Sequence, residues 1–109
     1  MHGESAAIIA MAMTAPQQLA LDPYVVETLL PDLVAHDRRP SAFLVYLVIA
    51  AAPGGRIALS HAALAERAGI SRRAAQSAVA HLARRGLIEV RRRGPTETSE
   101  YRALTPWRR

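Results

Sequence analysis

Gly69 and Gly86 divide the middle of this chain into two short helices, and a serine in front of each marks where it begins. Ser60 precedes His61-Ala-Ala-Leu-Ala-Glu-Arg-Ala68, and Ser71 precedes Arg72-Arg-Ala-Ala-Gln-Ser-Ala-Val-Ala-His-Leu-Ala-Arg84. A serine oxygen at the N-cap accepts a first-turn N–H. A glycine just past the last turn takes the left-handed conformation that closes a helix. Ala63, Leu64 and Ala68 give the first helix an inward face, and Ile70 plugs the turn. In the second helix Ala75, Ala78, Val79 and Leu82 fall at i, i+3, i+4 and i+7, a buried stripe. Arg72, Arg73, Gln76, Ser77 and His81 occupy the other side. After Gly86, Leu87 to Arg92 and Glu100 to Leu104 read as strands. The loop between them, Arg93-Gly-Pro-Thr-Glu-Thr-Ser99, is too long for a two-residue turn and is expected to project.

The chain before Ser60 is less regular. Residues 1–21 carry little periodicity and a Pro16-Gln-Gln break, which predicts a flexible N-terminal arm; Met11 and Met13 offer later starts than Met1. Asp22-Pro23 opens a helix over 22–37, as an N-cap followed by proline at the first helical position. Pro31 is expected to kink or split it, because proline lacks an N–H and crowds the preceding turn. Pro40-Ser41 opens another helix, through Ala52, that is apolar on nearly every side. Pro53-Gly54-Gly55 ends it, and Arg56 to Leu59 alternates like a short strand. The reading is one domain over 22–109 with an arm over 1–21, mainly α with a small β-hairpin (α+β).

This order of parts is that of a winged helix-turn-helix. The segment from Leu64 to Ile88, ending in Leu82-Ala-Arg-Arg-Gly-Leu-Ile88, resembles the core of bacterial winged-helix regulators of the MarR and GntR types. The resemblance implies a DNA-binding domain whose 71–85 helix reads the major groove and whose wing, 91–102, follows the backbone or minor groove. No long helix follows the wing and no ligand domain accompanies it, so small-molecule sensing is not expected.

Charge agrees with that expectation. The net charge of +5 conceals an acidic half, −3 over residues 1–55, and a basic half, +8 over 56–109, in which every cation is arginine. Such a half concentrates polyanions around it. On the reading helix, Arg72 and Arg73 suit guanine edges or phosphates, and Gln76 suits adenine. Ser71 and Ser77 suit phosphate oxygens. His81 stands either as a phosphate contact or as a plain exposed residue. The wing contributes Arg91, Arg92, Arg93 and Arg102. Arg84 and Arg85 fall at the negative end of the helix dipole, where a capping role is expected. Trp107 is expected to pack on the domain, with Arg108 and Arg109 as weak phosphate contacts.

Catalysis finds no support. His2, His36, His61 and His81 have no metal-ligand spacing, cysteine is absent, and there is no Gly-rich phosphate loop. No cofactor, metal or small-molecule ligand is expected. No apolar run approaches the roughly 20 residues that span a bilayer. The expectation is a cytoplasmic, non-enzymatic homodimer that binds double-stranded DNA and regulates transcription, its interface built from the 22–37 helix and the arm. Two alternatives remain: a plasmid or phage replication or partition module, and a winged helix that binds acidic proteins.

Overall fold

The computed structural model describes residues 18–92 and 98–108. The arm expected over 1–21 therefore lies mostly outside the described residues, as do Arg93 and Arg109. Residues 18–21 form neither helix nor strand.

The first helix, α1 (residues 23–36), opens as the sequence predicts: Asp22 Oδ1 accepts from the Tyr24 N–H at 3.0 Å. Pro31 leaves its mark in the hydrogen bonding rather than in a break. Two π-helical segments, Val25–Leu29 and Asp32–His36, flank it. Their wide turns are closed by Leu30 N–H to Val25 O and Asp37 N–H to Asp32 O. Widening the turn gives a proline-bearing helix room that an α-turn does not.

Helix α2 (Pro40–Ala51) opens at Pro40, which lies in its first turn, and ends one residue before the expected Ala52. Strand β1 (Arg56–Leu59) leads to α3 (His61–Ala68), α4 (Arg72–Arg84), β2 (Ile88–Arg92) and β3 (Ser99–Ala103). The predicted caps are all in place. Ser60 Oγ accepts from Ala63 N–H at 3.1 Å, and Ser71 Oγ from Ala74 N–H at 3.0 Å. Gly69 (φ 72°) and Gly86 (φ 70°) are left-handed. After α3, Ile70 N–H reaches Ala65 O at 3.0 Å; after α4, Leu87 N–H reaches Leu82 O at 2.9 Å.

The hairpin belongs to a larger sheet. β3 is the central strand of an antiparallel three-stranded sheet ordered β1-β3-β2. Ile57, Tyr101 and Val90 lie in one row across it, and Arg56, Arg102 and Glu89 in the next. Successive rows face opposite sides. Tyr101 therefore turns toward the helices, while Arg56, Glu89, Arg91, Glu100 and Arg102 line the outer face. The core runs continuously from α1 (Val25, Leu29, Leu33) through α2 (Val45, Tyr46, Ile49) to Leu64, Leu82, Ile88 and Tyr101. No polar or charged residue is buried among the described residues. This is the winged helix-turn-helix architecture expected from the sequence.

Candidate nucleic-acid interface

Helix α4 buries the predicted stripe: Ala75, Ala78, Val79 and Leu82 are all buried. Arg72, Arg73, Gln76 and Ser77 are exposed in its first two turns. The serine cap and the left-handed glycines on either side fix the helix in register, so this face is set by local backbone chemistry. At helical spacing, Arg73, Ser77, Ala80 and Arg84 share the strip facing away from the core, and all four are exposed. Sequence reasoning assigned Arg84 to the helix end together with Arg85. The structure separates them.

Arg85 turns back against α1. Its Nη2 donates to Asp32 Oδ2 at 2.5 Å and its Nη1 to Asp37 Oδ2. His81 joins the same carboxylate, with Nε2 2.7 Å from Asp37 Oδ2, and is only 14% exposed. His36 Nδ1 takes the other oxygen at 3.0 Å. Hydrogen bonds from His36 and His81, helped by Arg85, hold the Asp37 carboxyl down at about 2 against the desolvation that opposes them. Asp32 in turn pushes the Arg85 guanidinium above its usual value. This network replaces both roles offered for His81, because its outward nitrogen is committed to a carboxylate. Arg85 is the C-cap residue of α4, as expected, but its side chain serves α1 as well. No sequence signal links Asp37 to His81 and Arg85: the separation is long, and only the packing of α1 and α4 against α2 closes it.

Asp32, His36 and Asp37 also bring three potential ligand atoms within 4.8 Å of one another. Arg85 already engages both carboxylates, so the cluster is accounted for as an ion-pair network.

The serines have internal partners too. Ser71 Oγ is occupied as an acceptor by its capping bond. Ser77 Oγ accepts from Arg39 Nη1 at 3.0 Å, which brings an arginine of the acidic half onto the reading helix. On the sheet, Arg102 Nε donates to Glu89 Oε1 at 3.1 Å, and this pairing lowers the Glu89 pKa. Arg102 is thus tied down on the outer face, next to Arg91. Arg92 shares the side of Ile88 and Val90, where the sheet covers the helices, and it is exposed beyond the core.

The C-terminal segment clasps α1. Trp107 stacks on Tyr24 with ring centroids 4.5 Å apart, and its Nε1 donates to Asp22 Oδ2 at 3.0 Å. Arg108 Nε donates to the same oxygen at 3.0 Å. The Tyr24 N–H, then Trp107 and Arg108, lower the Asp22 pKa. The packing of Trp107 follows expectation; Arg108 closes on Asp22, which corrects its assignment to phosphate.

The sequence profile of the Crp-like helix-turn-helix domain matches residues 38–106, well over half of the chain. The chain belongs to the Crp-like helix-turn-helix domain family. No curated protein and no solved structure matches it. A Crp-like domain is a helix-turn-helix DNA-binding domain, so DNA is its partner; the narrower MarR or GntR resemblance gives way to this family. The matched span begins at Arg38 and takes in α2 to β3, hence every residue of the exposed α4 face. Among the described residues, no helix of this Crp-like domain is long and apolar enough to cross a membrane.

Proposed function

We propose that this protein is a sequence-specific regulator of transcription that reads the major groove of duplex DNA with α4. The observation that carries the reading is the first two turns of that helix. Arg72, Arg73 and Gln76 stand exposed at its N-terminal end, opposite the buried stripe that fixes its orientation. A recognition helix presents base-reading side chains from this end. Arg73 forks onto guanine O6 and N7, Gln76 pairs with adenine N6 and N7, and Arg72 takes a base or a phosphate. Ser71 and Ser77 retain hydroxyl protons to donate to phosphate oxygens. Arg92 extends the basic surface along β2, with Arg91 on the opposite face of the same strand. Arg102, paired with Glu89, contributes field rather than contact.

One domain covers one half-site, and specific affinity at physiological salt favours two, so the acting species is a homodimer. The expected interface narrows. Val25, Leu29 and Leu33 of α1 are consumed by the core, leaving Leu19 of the arm, Tyr24 and Val26 of α1 and Leu44 of α2 as exposed large apolar residues among the described residues.

The test is fluorescence anisotropy on the protein's own upstream DNA, with a scrambled duplex and two salt concentrations alongside. Tight, salt-sensitive binding that prefers the native sequence is expected. Binding without preference replaces regulation with a replication or partition role. No binding at low salt overturns the proposal and turns attention to an acidic protein partner.

A further inference from the structure

Some arginines on this surface are closed by carboxylates: Arg85 by Asp32 and Asp37, Arg102 by Glu89, Arg108 by Asp22. Arg38 and Arg39 are not. Both are exposed, and neither meets a carboxylate among the described residues. Asp37, the acid adjoining them in sequence, has turned its carboxylate toward His36, His81 and Arg85. The backbone here is unusual. Arg38 has φ 55°, a left-handed conformation that non-glycine residues seldom hold, and the next N–H, that of Arg39, is anchored on Leu33 O at 2.8 Å. This turn carries the chain from α1 into α2, sets the Arg39 guanidinium against α4 and leaves Arg38 lining the groove beside it.

Arg39 Nη1 donates to Ser77 Oγ, so one edge of its fork is fixed on the exposed face of the reading helix. An open groove of about 190 Å³ separates the two elements, lined by Arg38, Arg39, Ser41, Ala74 and Ser77. Its rim holds two permanent positive charges and no negative one. The Ser77 hydroxyl, used as an acceptor, still has its own proton to give. Arginine presents several N–H donors in a rigid fork that matches two oxygens of a phosphate.

We propose that Arg38, Arg39 and Ser77 form a phosphodiester-binding site that grips the DNA backbone alongside α4. It rests on the reading of α4 as the DNA-contacting helix and adds residues from the acidic half of the chain. The ligand is a backbone phosphate of the duplex, bridged by Arg39 and the Ser77 hydroxyl, with Arg38 supplying a second charge. The site carries no sequence information; it fixes where along the groove Arg73 and Gln76 fall.

The experiment measures the salt dependence of DNA affinity for the wild type, Arg38→Gln, Arg39→Gln and Arg73→Ala. Thermal unfolding of each variant verifies its fold. Arg39 makes no side-chain capping bond to α2, so its replacement leaves that helix start intact. Arg39→Gln is expected to weaken native and scrambled duplexes by the same factor. It also flattens the slope of log affinity against log salt by about 0.9 for the lost phosphate, and Arg38→Gln does the same. Arg73→Ala, in contrast, lowers the preference for the native duplex. Wild-type slope and affinity in both glutamine variants overturn the clamp while leaving the α4 reading intact. A folded wild type that fails to bind either duplex overturns the reading itself.

Discussion

Asp37→Asn tests whether a single carboxylate holds the reading helix to α1. The side chain is 10% exposed and receives His36 on one oxygen and His81 with Arg85 on the other. Its pKa is lowered from 3.8 to about 2. A depressed carboxylate pKa is stability that is fully present above the unfolded-state value and lost as pH falls through the folded one. The full shift corresponds to an upper figure of about 2 kcal/mol, at 1.36 kcal/mol per pKa unit. Water around the half-exposed Arg85 head group screens part of it, which brings the expected loss in Asp37→Asn to about 1–2 kcal/mol at pH 5. By pH 3, below the unfolded value and above the folded one, the gap between wild type and variant shrinks to about half. Urea unfolding followed by the fluorescence of Trp107, the single tryptophan, reads both numbers from the shift in midpoint at constant slope. A gap equally large at pH 5 and pH 3 refutes the electrostatic account, and a gap below about 0.3 kcal/mol at pH 5 refutes the clamp.

Four further outcomes follow from the geometry. Arg73→Ala is expected to lose about 1–3 kcal/mol of discrimination at one base position, measured by competition with single-base operator variants; a uniform loss across sequences reduces it to a phosphate contact. Gly69→Ala meets no atom within 4 Å of the new Cβ, so only the strain of φ +72° acts, lowering stability by about 1 kcal/mol in thermal unfolding. Tyr46→Phe removes the donor 2.9 Å from Leu104 O and is expected to cost about 1–2 kcal/mol. Tyr101→Phe deletes a buried hydroxyl whose contact with Ser99 falls short of hydrogen-bond geometry, and urea midpoints at or above wild type are expected.

The α4 face was legible because its determinants are local. Ser71, Gly86 and the Ala75-Ala78-Val79-Leu82 spacing act within one helix, so periodicity and cap chemistry suffice to say which side chains face outward. The same reasoning put Trp107 on the domain and Pro31 in trouble inside α1. It failed where a side chain chose a partner far along the chain. His81, Ser77 and Arg85 sit on the reading helix, yet Asp37, Arg39 and Asp32 decide what they do.

The sequence alone determined the helix boundaries near Gly69 and Gly86, the identity of the exposed α4 residues and the basic character of the second half. Each follows from interactions spanning a few residues. Tertiary structure decided that β1 completes a sheet with β3 at its centre, and that Asp37 and Asp22 gather cations from opposite ends of the chain. It also decided that Arg39 leaves the acidic half to join α4. Charged side chains on a surface choose partners by proximity, and proximity across 38 or more residues exists only after the core has packed.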